Sequence, residues 1–236
     1  MTSPAIDKAA GRVEHLLDSV IELRHKLALL HPLLPLEPVS RATPQGPASK
    51  ALAVLRFALF GSCLQDLVKA TLDQDPRAPS VAKIAPLLED QFMYAELRKR
   101  FCDTYFAGAG ANADVRAVLE ALSLEEGGEP GQQFDQVVQR FRSDWAHLSQ
   151  TPRMLACKTV RDKLLAHTEL HFVHGSYRLL DVTPLGLQWT DLGPLTAQLQ
   201  DCTTSLNLLI RSAGFDFEGL DRQLAAMSSA FWPERA

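Results

Sequence analysis

Apolar residues recur at three- and four-residue steps near the start of the chain: Val13, Leu16, Leu17, Val20, Ile21, Leu23, Leu27 and Leu30. Glu14, Asp18, Glu22 and Lys26 lie mostly between them. That spacing predicts an amphipathic helix over 4–30. The stretch HPLLPLEPVSRATPQGP then forbids regular helix over 31–47, because proline lacks an amide hydrogen and clashes with the turn before it. A second helix is expected over 48–73. It is apolar on nearly every side through Leu64, so it is expected to sit centrally in the bundle.

Further along, Ser80 is placed to cap a helix carrying Val81, Ile84, Leu87 and Leu88, which continues through Phe92, Leu97 and Phe101 to Phe106 with a break near Pro86. GAGAN (108–112) reads as a turn, 113–122 as a short helix, and the acidic, glycine-rich 123–132 as a surface loop. Helix returns over 134–148. Residues 149–152 cap and restart it, since proline suits a first helical turn, and 153–172 follow as one helix. Residues 174–189 lose the helical period and contain Gly175, Pro184 and Gly186, so they form a small β-hairpin (near 176–189) or an ordered loop. Helices over 191–213 and 217–231 close the chain. The expected architecture is an all-α bundle of six to eight helices in one domain spanning 1–236.

Composition narrows the picture further. The 236 residues are 46% hydrophobic and 22% charged, values that exclude a mainly disordered or collagen-like chain. A net charge of −4 argues against an overall basic footprint for nucleic acid or anionic membrane, so such contact requires a local patch. Between 136 and 180 seven basic residues face three acidic ones, a local +4. Asp7, Lys8, Arg12 and Glu14 interrupt any apolar leader. The most apolar run, Ala51–Leu64, is 14 residues long and contains Arg56; a membrane span needs about 20. Arg56 is expected to pair with a buried acid or to snorkel outward. Cys63, Cys102, Cys157 and Cys202 form no CxxC pair and read as apolar fillers in a reducing compartment. A cytoplasmic protein with no membrane contact is therefore expected.

The segment RMLACKTVRDKLLAHTELHF (153–172) carries the candidate chemistry, with Arg161, Asp162 and His167 close together. Spacing alone discriminates little. Sixteen arginines and seven histidines give about one or two Arg-x(4–6)-His matches by chance, and four occur: Arg24–His31, Arg140–His147, Arg142–His147 and Arg161–His167. Context separates the last of these. Arg-Asp-Lys, two apolar residues, Ala-His and then Glu169 resembles the HEPN superfamily, in the group related to AbiU2 abortive-infection proteins. There a polar residue often follows the arginine, the position Asp162 holds here.

The resemblance implies a metal-independent endoribonuclease that needs no cofactor and builds its site across a homodimer. It points to a toxin or anti-phage effector, with RNA as substrate and an antitoxin protein as a further partner. Histidine titrates nearest neutral pH and can act as base or acid. Arginine stays charged and offers phosphate a planar fork. His167 is then base and acid, Arg161 holds the phosphate, Asp162 orients one of them, and Lys158 and Lys163 add phosphate contacts. On an ideal helix Arg161 and His167 are about 120° apart, so one motif makes a poor complete site, and a two-fold axis would supply two of each group.

Other readings stand beside it. The segment could instead belong to a catalytically inactive helical binding or dimerisation module, with Arg161–Asp162 a solvated charged turn and His167 a helix-end histidine. His167, His171 and His174 invite a metal, but HTELH is not the zincin pattern and no metal is expected. RSDWAH, with Arg142 and His147, reads as a packed amphipathic helix. Some HEPN toxins are controlled at a tyrosine two residues beyond the histidine; Glu169 stands there, so that control is not expected.

Overall fold

A computed structural model of the chain describes residues 4–34, 46–106, 129–165, 170–173, 176–179 and 185–232. Among them are eight α-helices and one two-stranded hairpin. Helix α1 (Pro4–Leu30) forms where the heptad-like spacing predicts it, and Ile6, Ala9, Val13, Leu16, Leu17, Val20, Leu23 and Leu30 are buried along one stripe. A 3₁₀ turn, His31–Leu33, ends it, with Pro32 in its first turn. Helix α2 spans Pro47–Leu72. The short α3 (Val81–Ile84) passes into a 3₁₀ turn at Ala85–Leu88, and α4 (Gln91–Phe106) follows, so the break at Pro86 falls where expected. Ser80 occupies the N-cap position without capping: its hydroxyl donates to the Asp73 carbonyl at 2.6 Å, tying the incoming loop together.

Helix α5 (Pro130–Gln150) begins four residues earlier than its apolar pattern suggests, because Pro130 can open a helix inside the stretch read as loop. The expected turn at 108–112 and short helix at 113–122 lie outside the described residues. Thr151 is extended and Pro152 restarts helix α6 (Pro152–Val160), as expected. The last two helices, α7 (Leu192–Arg211) and α8 (Phe217–Phe231), match their predicted spans closely.

Three expectations need correction. The first is the single helix over 153–172. The α-helix stops at Val160, a π-helical turn occupies Arg161–Leu165, and strand β1 (Leu170–Val173) has begun before 172. The Arg161 amide donates to both the Cys157 and Lys158 carbonyls, closing the last turn of α6. The second is the hairpin, which lies upstream of 176–189. Strand β1 pairs antiparallel with β2 (Ser176–Leu179), setting Leu170 opposite Leu179 and His171 opposite Arg178. β-Branched and aromatic residues in LHFV favour strand there even though the period still reads as helix.

The third concerns the centre of the bundle. That place belongs to α7, whose buried residues run through every turn from Leu192 to Ile210 and which packs against α1 and α5. In α2 full burial begins only at Cys63; before it Leu59 and Phe60 pack against the core half-buried, and none of the described side chains there is buried. Hydrophobicity without a polar face fixed the composition of α2 but not what covers it. The core is continuous from Ile6 to Ile210, and Phe134 at its heart meets Tyr94 and Phe101 edge-on at 5.3 and 5.6 Å.

Candidate functional site

Helix α6 is anchored at its start and open at its end. Met154, Ala156, Cys157 and Val160 face the core. Arg153 pairs with the fully buried carboxylate of Asp191, which also accepts from the Gln188 amide at 2.8 Å, binding α6 to the 3₁₀ turn that leads into α7. Downstream, the π turn packs against α2 at Gly61. A Cβ at Gly61 would lie 3.5 and 3.8 Å from the two methyls of Leu165, so a small residue there lets the turn sit close.

At this junction three of the expected site residues meet. Asp162 accepts on Oδ1 from Arg161 Nε at 2.7 Å, with Arg161 Nη2 at 2.6 Å, and on Oδ2 from Lys158 Nζ at 2.6 Å. One carboxylate thus holds two cations, and all three side chains retain access to solvent. Partial burial pushes the Asp162 carboxyl up, but the hydrogen bonds from Lys158 and Arg161 outweigh it and leave the pKa below the ordinary value. Lys158, in the last turn of α6, meets Asp162 four residues on, in the π turn, and Arg161 reaches the same carboxylate from the adjacent position. Lys163 follows in the same turn and is half-buried. Chemically, the cluster is a pair of preorganised cations on a carboxylate that a phosphate oxygen can replace.

His167 and Glu169 lie outside the described residues, as does His174. His171 is in β1, opposite Arg178 in register. The 120° separation expected for Arg161 and His167 assumed an ideal α-helix, and the π turn removes that premise. Among the described residues no three His, Cys, Asp or Glu side chains gather as a metal site.

The competing Arg…His pairs are committed elsewhere. Arg24 binds Gln200 and Asp221 and lies over the Phe217 ring at 5.6 Å. Arg142 donates to the Leu88 carbonyl at 3.1 Å, fastening α5 to the turn after α3. Arg140 stands 3.7 Å from Asp144. Within the basic stretch 136–180, Arg142 and Arg153 thus serve as structural ties, and Lys158 and Arg161 share Asp162. Of the two expectations for Arg56, the ion pair is not formed among the described residues, where its buried Nε lacks any hydrogen bond; the residue as a whole is only partly buried. The buried thiols of Cys63, Cys157 and Cys202 are pushed up to about 12 by desolvation, as inert fillers would be.

Sequence reasoning found Arg161, Asp162 and Lys158 but not their common junction. The four-residue step from Lys158 to Asp162 carried that signal. It missed the groove between α1, α2 and the loop before α3, where Arg12, His15 and Lys69 face Asp18, Glu22 and Asp66. Those charges come from separate elements, with no local pattern to read.

A family model described as AbiU2, of HEPN type, matches residues 6–230. No curated protein matches the chain, and no solved structure does.

Proposed function

Since the chain belongs to the AbiU2 family of HEPN proteins, we propose that it is a metal-independent endoribonuclease acting as a homodimer, with a role as a toxin or anti-phage effector. The observation that carries this reading is the cluster Lys158–Asp162–Arg161, two cations gathered on one carboxylate a few residues ahead of His167.

In this mechanism the RNA phosphate takes the place of the Asp162 carboxylate on Arg161, and the guanidinium fork offsets the charge that grows on the phosphate oxygens. His167 of one copy accepts the proton of the 2′-OH as that oxygen attacks phosphorus. His167 of the other copy donates a proton to the departing 5′-oxygen. The P–O5′ bond breaks as the P–O2′ bond forms, leaving a 2′,3′-cyclic phosphate and a free 5′-OH. Asp162 holds Arg161 in position between turnovers. Lys158 and Lys163 add charge along the same strand of RNA.

The test is cleavage of RNA in EDTA by wild type, Arg161→Ala and His167→Ala, with circular dichroism as the fold control. Each substitution should lower kcat/KM by about a hundredfold or more while the spectrum stays unchanged. RNA carrying 2′-O-methyl groups should resist cutting; its cleavage would refute the mechanism.

A second reading draws on the same cluster. With Arg161 and Lys158 already satisfied by Asp162, the π turn serves as a structural staple in a catalytically inactive dimerisation module. A folded wild type that cuts no RNA favours it.

A further inference from the structure

Arg24 and His31, one of the four arginine–histidine pairs that spacing alone picks out, take no part in the Asp162 cluster. They border a different cavity. Seven positions apart, they share nearly one face of the chain at the end of α1 and stand about 10 Å apart along its axis. With Leu27 and Ala28 between them, they line a cleft of about 280 Å³ between α1, α7 and α8. Helix α7 supplies a stripe of the same spacing, Gly193, Thr196, Ala197 and Gln200, and α8 adds Asp221 and Leu224. Arg24 bonds Gln200, and Arg211 stands 3.4 Å from Glu14, so α1 and α7 run antiparallel and His31 comes level with Gly193. Small residues leave the space: a Cβ on Gly193 would meet no atom within 4 Å, and Ala28 and Ala197 carry only a methyl each. Arg24 closes one end by donating to Gln200 and Asp221. Thr196, 4% exposed, lines the cleft with a hydroxyl that makes no hydrogen bond. The buried hydroxyls of Thr71 and Thr203 instead donate to the carbonyl four residues back, at 2.7 and 2.8 Å. A buried hydroxyl left unpaired in a cavity wall calls for a polar partner.

We infer that this cleft binds a purine base. Charge argues against an anion, because Asp221 already neutralises Arg24 within the lining. Shape favours a flat ring: α1 and α7 pack closely along their length, so the space between them is a slot, with Leu27, Ala28, Ala197 and Leu224 as its apolar lining. The remaining polar atoms suit the edge of a heterocycle. Asp221 keeps its second carboxylate oxygen for a ring N–H, and Gln200, whose Oε1 is taken by Arg24, offers its Nε2 to a ring nitrogen or carbonyl. At the other end stand the His31 imidazole and the Thr196 hydroxyl, which a change of χ1 rotamer turns toward an occupant. The volume lies at the lower edge of ligand pockets, room for a bicyclic ring and not for a run of nucleotides. A pyrimidine would fill less of it. The same ring chemistry is offered by a free nucleoside and by a base of an RNA strand. The inference stands apart from the proposed cleavage chemistry, since none of its residues lines this cleft.

The experiment is calorimetric titration of the full chain with adenosine, guanosine and uridine. Wild type should bind at least one purine nucleoside about tenfold or more tightly than uridine. Ala197→Leu, made at an exposed position, fills the slot and should weaken that binding by about tenfold or more with an unchanged circular dichroism spectrum. Thr196→Val keeps the shape, removes the hydroxyl and should weaken it several-fold. Gel shift with a purine-only RNA strand separates the two sources. If the base belongs to RNA, Ala197→Leu weakens strand binding and the free nucleoside competes with the strand; if the ligand is a free nucleoside, strand binding is unmoved while nucleoside binding is lost. A wild type that binds neither purine at millimolar concentration overturns the inference, as does purine binding that both substitutions leave intact. Purine binding lost in Ala197→Leu, in a protein that cuts no RNA, supports the cleft and removes only the proposed chemistry.

Discussion

Asp162 is the residue on which the candidate site turns, because a single carboxylate positions both available cations. Its folded pKa lies below that of the unfolded chain, so its contribution to stability is present above the ordinary carboxylate value of about 3.9 and is lost as pH falls through the depressed folded value. NMR of the Arg161 side-chain Nε–H should therefore show a constant resonance from neutral pH down to about 4 and an acid transition below it. Asp162→Asn should abolish that transition, and a variant that keeps it would place the titrating group elsewhere. Part of this arrangement was legible beforehand. Lys158 and Asp162 are a helical four-step pair, and Asp162 fills the polar position of the motif. The bond from Arg161 was not legible, since it depends on a winding change that no residue type announces.

Helix α2 and the π turn meet at Gly61, where there is room for one more methyl group. Gly61 is helical, and the Leu165 methyls stand at ordinary contact distance from where a Cβ would go. Gly61→Ala should raise stability by about 0.5–1 kcal/mol, through helix propensity and the smaller entropy of the unfolded chain. Urea titration checks this, and a loss of stability would show that the turn tolerates no added methyl. Gly61→Phe should instead expel Leu165 and lower stability. Elements with a clear polar face were read correctly: α1, α7 and α8 fall within a few residues of their predicted limits. Where the pattern was ambiguous the reading failed. LHFV satisfies helix and strand alike over four residues, so its pattern does not announce where the hairpin starts.

Across the whole molecule, burial is set by which elements surround a helix and not by its hydrophobicity. Helix α7 carries buried Thr196, Thr203, Ser205 and Asn207 yet occupies the centre, because its neighbours enclose it; Thr203 and Asn207 donate to the Leu199 and Ala213 carbonyls. Helix α2 has fewer polar residues in its first half and stays open. Phe134 tests the centre most directly: fully buried and held by two aromatic neighbours, its replacement by alanine should cost about 3–5 kcal/mol in urea unfolding. A cost under 1 kcal/mol would mean that the core closes over the gap. The family and its helical architecture could be read from the chain, whereas the open face of α2 required three dimensions. The turn at Arg161–Leu165 winds more residues into each revolution than the α6 helix before it. Deleting any one of those five residues would let α6 run on without interruption and rotate the downstream backbone by about 100° relative to the core. Exchanges of side chain keep the path, whereas one-residue gaps or insertions redirect it, so tolerance at this point should depend on chain length before it depends on chemistry.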